Sequence, residues 1–278
     1  MINLLQLLIK LSSFFVFLVL EIICFWLVVR HNQQQGEVFA NSLNLFSGYL
    51  QEKSASAYQF FQLYDENIRL TRENAQLLER LANTAQDTPG ELDSALVADA
   101  RPRYTFTGAR VIKNSVNLHH NYLVLDKGKK DGVLPHSGIV TTQGVVGIVR
   151  KVSDHYSVAM SILHRQTKIN ARIRNKVFFG PLTWKSTDTR LFNLDDIPKH
   201  APVMKGDTIE TSGFSTMFPA GIVLGTVERV ALDPGSNFFT IEVRSGLDMS
   251  TVQHVYIVRN LMREEQEQLE KAVQKEDE

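Results

Sequence analysis

A glycine-flanked serine on a turn is what nucleophilic acyl transfer uses, and the stretch 211–221, TSGFSTMFPAG, offers Ser212 and Ser215 beside Gly213. The pattern is incomplete. A G-x-S-x-G turn needs glycine on both sides of the nucleophile, whereas Ser215 is followed by Thr216 and Met217 and Ser212 has one glycine neighbour. His119, His120 and His155, with Asp126 or Asp154, are the residue types that complete a triad, but no spacing gathers them. His119 and His120 are adjacent, so on a strand their rings face opposite sides and do not chelate one ion. The chain contains no H-x-x-x-H or H-E-x-x-H. Asp195-Asp196, before Ile197-Pro198, read as a loop. The run GKKDG, 128–132, lacks the glycine spacing of a phosphate loop and reads as a hairpin turn. The expectation is a chain with no catalytic residues, no cofactor and no metal.

Composition points the same way. Thirty basic and thirty acidic residues cancel, which leaves no electrostatic footprint for nucleic acid. With 44% hydrophobic residues in 278, the chain can fill one large or two small cores.

The elements that would position any site differ sharply along the chain. Residues 1–10 form a short N-terminal segment, and 11–29 read LSSFFVFLVLEIICFWLVV with one charge, Glu21. At 1.5 Å per residue that run spans a bilayer core of roughly 30 Å. Its fourteen Leu, Ile, Phe and Val residues favour insertion by about 4 to 8 kcal/mol, against roughly 3 for a buried carboxylate. An uncleaved transmembrane helix is expected, since the run is long for a signal peptide and no small-x-small site follows Val29. Glu21, as an intramembrane polar group, would seek an interhelical partner. The one cysteine, Cys24, lies in this run, so the rest of the chain has no disulfide or cysteine-based metal site.

Residues 32–86 lack proline and read as helix, with an a/d seam of Phe60, Leu63, Asn67, Leu70, Asn74, Leu77 and Leu81 in the second half. Asparagine at two successive a positions suits a parallel two-stranded coil, so a coiled-coil homodimer is expected. The competing arrangement is one amphipathic helix folded back on its own domain, which Leu78 at an e position would favour. A polar linker bracketed by Pro89, Gly90 and Pro102 covers 87–103.

From 104 to 260 the texture becomes β: YTFTGARVIK, NYLVLDKG, SGIVTTQGVVGIVRKV, SVAMSIL, KINARIR, FTIEVR and QHVYIVRN alternate with turn residues. Such spacing suits small barrels or sandwiches, and this length suffices for two. A weak repeat, GVVGIVRKV (144–152) and GIVLGTVERV (221–230), supports two modules divided near 153–165. Whether the last strand returns to the first module stays open. Phe214, Met217 and Phe218 cluster at a turn, as a partner contact or as core; Phe178, Phe179 and Trp184 are expected to be buried. The tail 261–278 is a short charged helix-former with a thin stripe of Met262, Leu269 and Val273, and is expected to be solvated and partly disordered.

The coil end LTRENAQLLERL (70–81), NYLVLDKGKKDGVLPHSGIVTTQGVVGIV (121–149) and GDTIETSGFSTMFPAGIVLGTV (206–227) together resemble the bacterial rod-shape-determining MreC family. The last run is similar to that family's T-S-G…F-P-x-G-I-x-x-G-x-V pattern. The resemblance implies a mainly β fold of two small β-barrels on a coiled-coil stalk behind a transmembrane helix, in the inner membrane with residues 1–10 cytoplasmic and the barrels in the periplasm or outside. It also implies a non-catalytic scaffold of the cell-elongation complex that organises peptidoglycan synthesis. The partners it implies are itself, MreD, a penicillin-binding transpeptidase with its polymerase partner, and MreB across the membrane. A secretion or fusion adaptor also joins one span, a coiled coil and β modules, but here no second heptad helix returns. An anchored hydrolase is the remaining alternative.

Overall fold

The structure is a computed structural model that describes residues 12–31, 62–84 and 102–276. The expected N-terminal segment, the first half of the stalk with Phe60, and most of the linker lie outside the described residues. The chain divides into two units, Met1–Ile68 and Arg69–Glu278. The first contains helix α1, Ser12–His31, whose described large apolar side chains are all exposed. A second helix, α2, covers 62–84.

The second unit is built on two closed six-stranded barrels. Barrel one takes β1 (Tyr104–Asn114), β2 (Tyr122–Leu125), β3 (Gly138–Thr141), β4 (Gly144–Val152), β5 (Ser157–Ser161) and β12 (His254–Asn260). Barrel two takes β6 (Lys168–Ile173), β7 (Phe179–Thr183), β8 (Leu191–Pro198), β9 (Thr208–Thr211), β10 (Val223–Leu232) and β11 (Phe238–Arg244). Every pairing is antiparallel, and closure removes the exposed edges that short strands would otherwise present. Alternation is clear in β6, KINARI, where Ile169, Ala171 and Ile173 point inward and Lys168 and Asn170 are exposed.

Strand β12 closes barrel one from the far end of the chain, with Tyr104 facing Asn260 and Arg110 facing His254 across β1, and Ile257 facing Ile139 across β3. Its run Val255, Tyr256, Ile257, Val258 is buried on both faces. The inner face fills the barrel; the outer is covered by α2. Thr71, Ala75, Leu78 and Ala82 recur at helical spacing on α2, and Thr71 lies over Gly108, where a β-carbon would come within 2.4 Å of its methyl. Asn83 fixes the end of the helix: its amide donates to the Tyr104 carbonyl (3.0 Å), and its oxygen accepts from the Arg103 and Tyr104 main-chain N–H groups.

Two expectations need correcting. GKKDG is not a hairpin: it forms a 3-10 turn, Lys129–Asp131, between β2 and β3, which pair with other strands. Asp131 accepts the Gly128 N–H, and Gly132 supplies the left-handed exit at φ 81°. Asp195-Asp196 belong to β8 rather than to a loop, and the carboxylates interrupt the apolar alternation because the strand bulges there. The tail, a helix-former by sequence, forms helix α3 (Arg263–Glu276), with Leu269 and Val273 exposed. Asn260 caps it through Met262 N–H, Glu264 and Glu265 complement the first turn, and Arg263 pairs with Glu267 one turn on.

Candidate interaction surfaces

The serines that open the chemical question are turn residues. Ser212 Oγ accepts the Phe214 N–H and Ser215 Oγ accepts the Met217 N–H, each at 3.2 Å. Their loop is fixed by Thr211, whose hydroxyl donates to the Pro219 carbonyl (2.6 Å) and accepts the Ile222 N–H (2.9 Å). Gly213 and Gly221 take φ of 81° and 89°, a region that glycine enters without a β-carbon clash.

That loop joins the barrels. Phe218 is 2% exposed and packs against Gly138 of β3, where a β-carbon would lie 2.5 Å from its ring. A β-carbon on Gly144 of β4 would lie 2.8 Å from the Val223 carbonyl, so the two strands of the weak repeat touch across the same contact. Tyr104 Oη approaches the Phe218 carbonyl at 3.5 Å, and the Asn260 amide donates to the Thr216 carbonyl at 3.1 Å. Phe218 is therefore committed to its own chain. Met217 is half-buried beside it, and Phe214 alone of the three stands out, 69% exposed. Phe214 meets Phe179 edge-on, with ring centroids 5.0 Å apart. Phe179 is exposed, against expectation, because it occupies an outward position of β7; Trp184 is buried and donates to the Asp188 carbonyl.

A second surface lies along α2. Leu70, Leu77 and Leu81 are exposed, the last two at 60% and 68%, while the adjacent stripe is spent on barrel one. Leu63 and Asn67 are exposed as well, and Asn74 lies beside the Tyr256 hydroxyl. Leu70, Leu77 and Leu81 thus present apolar side chains to solvent, while Asn74 turns toward barrel one.

The histidines do not assemble a metal centre, and among the described residues no group of three or more His, Cys, Asp or Glu side chains converges. His120 instead stacks on His164, centroids 4.8 Å apart, in the segment between β5 and β6. His164 Nδ1 accepts the Gln166 N–H (3.1 Å) and Nε2 lies 3.3 Å from the Tyr122 hydroxyl. Burial, then His120 and Arg150, lowers its pKa. Sequence reading missed this pair, since nothing in the spacing of 120 and 164 signals a stack.

Comparison with known proteins follows the same outline. A family model described as rod shape-determining protein MreC, barrel core, matches residues 111–259. The cell shape-determining protein MreC of Listeria monocytogenes is 28% identical over 202 residues, covering 70% of this chain and 68% of that protein. Its Escherichia coli counterpart is 22% identical over 188 residues, 67% of this chain and 47% of that protein. The match to the Haemophilus influenzae protein spans 37% of its length. Of solved structures, MreC from Listeria monocytogenes aligns at 26% identity and a TM-score of 0.54, over 73% of this chain and 91% of that one. MreC from Pseudomonas aeruginosa has the same fold at 20% identity and a TM-score of 0.51, over 55% of this chain and 98% of that one. Because the matched family model covers more than half the chain and nearly all the strands of both barrels, the chain belongs to the MreC family of rod shape-determining proteins.

Proposed function

We propose that this chain is a non-catalytic, membrane-anchored scaffold of the cell-elongation machinery, which organises peptidoglycan synthesis and so maintains cell shape. The observation that carries this reading is the two-sided use of α2. One stripe is fixed to barrel one, and the exposed leucine seam beside it supports association with a second copy through Leu63, Asn67, Leu70, Asn74, Leu77 and Leu81, with Phe60 at its start.

The anchor is the apolar run 11–29, and the barrels lie in the periplasm or outside. Counted on the described residues alone, no helix is long and apolar enough to cross a membrane. Read in full from the sequence, the run 11–29 has the length and hydropathy of a span. Glu21 would sit within it and pair with a polar group of a membrane partner such as MreD. Replacing Glu21 with Leu should then reduce co-purification of that partner.

On this reading the exposed Phe214, with Phe179 beside it, offers a contact for a penicillin-binding transpeptidase and its polymerase partner, while MreB lies across the membrane. Cross-linking in intact cells from residues 104–260 should recover wall-synthesis proteins, and loss of the chain should round the cells. Recovery of export components instead would favour the secretion or fusion adaptor. Ser212→Ala and Ser215→Ala should leave cell shape intact; loss of function with an unchanged fold would favour a hydrolase.

A further inference from the structure

Strand β8 places two consecutive carboxylates on the outside of barrel two. Leu194 and Ile197 are both fully buried, so simple alternation cannot accommodate the two residues between them. Pairing with β11 slips at this point: Ile241 faces Leu194 and Phe239 faces Ile197, which leaves Asp195 and Asp196 opposite Thr240. Asp196 makes the bulge by adopting φ 62°, a left-handed conformation uncommon outside glycine, though more frequent for aspartate than for most residues. Strand β7 yields to it with Gly180, where a β-carbon would lie 2.1 Å from the Asp195 carbonyl oxygen.

Both carboxylates line an open groove of about 450 Å³ on barrel two. Asp195 is already satisfied: Lys185 Nζ approaches its two oxygens at 3.0 and 2.8 Å, and the Thr183 hydroxyl donates at 3.0 Å. Asp196 forms no ion pair among the described residues, and neither do Arg165 and Lys168, which line the same groove and are exposed. Phe238, half exposed, completes the lining beside the bulge. After internal pairing, the groove therefore offers two cations at its β6 side, one carboxylate at its β8 side and one phenyl ring.

We infer that this groove binds a short extended peptide bearing both a carboxylate and an ammonium group. The carboxylate meets Arg165 and Lys168, the ammonium meets Asp196, and an apolar side chain next to it rests on Phe238. Two strand spacings separate β6 from β8, about 10 Å, which an extended peptide crosses in about three residues. Opposite charges three residues apart fit this arrangement, whereas a peptide with two carboxylates brings like charge against Asp196.

The test is calorimetric titration of the full-length chain in detergent micelles with acetyl-Glu-Ala-Leu-Lys-amide and acetyl-Glu-Ala-Leu-Glu-amide. The first peptide should bind and the second should bind about five-fold more weakly, the scale of one exposed ion pair. Lys168→Ala and Asp196→Gly should each weaken the first peptide by a similar factor. Asp196→Gly should also keep or raise the thermal midpoint, because glycine adopts the left-handed conformation freely, and this separates loss of the charge from loss of the fold. The proposal is overturned by no binding at millimolar peptide, by equal binding of the two peptides, or by Asp196→Gly binding as the unaltered chain does. It is equally overturned if an oligomer of a uronic acid binds where the peptide does not.

Discussion

Gly138 of barrel one and Phe218 of barrel two are in direct contact, with no room between them for even a methyl group. The same imagined β-carbon would lie 2.6 Å from the Met217 carbonyl, which belongs to the backbone and cannot swing aside. Two barrels that share no strand thus meet through a ring seated on a glycine, beside the Gly144 to Val223 contact and the Asn260 to Thr216 hydrogen bond. Phe218→Ala should lower unfolding stability by about 3 to 5 kcal/mol, the usual range for emptying a buried phenyl site. Gly138→Ala should also destabilise, through overlap rather than a cavity. Urea unfolding of both variants checks this, and a Phe218→Ala midpoint equal to that of the native chain would refute the assignment.

The two stripes of α2 should respond differently to the same charge. Leu77→Glu with Leu81→Glu should convert the proposed dimer to a monomer in sedimentation experiments while leaving the thermal midpoint of the barrels unchanged. Ala75→Glu, which forces a carboxylate against barrel one where the native side chain is 7% exposed, should cost about 2 kcal/mol or more of stability. If both variants lower barrel stability equally, the seam is not free for a second copy.

His164 should make stability fall on mild acidification. Burial lowers its pKa in the folded chain, so the folded state holds fewer protons than the unfolded state near the ordinary value of about 6.5. Its contribution is complete above that value and is lost as the pH falls through it toward the depressed one. Protonation would add a proton at Nδ1, which now accepts the Gln166 N–H, and would place positive charge near Arg150. His164→Asn should flatten the dependence between pH 7.5 and 5, measured by urea unfolding; an unchanged slope would assign it to another group.

Asp248 should titrate unusually low. Its carboxylate accepts from the Ser250 hydroxyl and N–H and pairs with Arg190, which together hold its pKa at about 2. The folded value lies below the unfolded one, so the stabilisation is present above about 4 and disappears as the pH falls toward 2. Carboxyl-carbon NMR should show this midpoint, and Arg190→Gln should move it upward.

How much of this was legible in the sequence depends on the range of the interaction that encodes each feature. The strands of KINARI and FTIEVR announce themselves because inward and outward side chains alternate along one strand, a local property of the pleat. The strand LFNLDDIP does not, because its bulge exists only against β11, and its two carboxylates imitate a loop when read alone. The helical period is likewise a local property, but in the stripe Thr71, Ala75, Leu78 and Ala82 three residues are small or polar, and their burial depends on Gly108 and β12 nearby.

The sequence by itself determined the order of textures, apolar run, heptad, then β, and it left the serines without catalytic neighbours. Tertiary structure alone decided that QHVYIVRN returns across the chain to close barrel one beside β1, a pairing of residues some 150 positions apart. It also decided that Phe218 seals the barrels while Phe214 faces outward. The physical reason is that periodicity records which way a side chain points from its own backbone. What it points at is set by strands and loops that are distant in sequence.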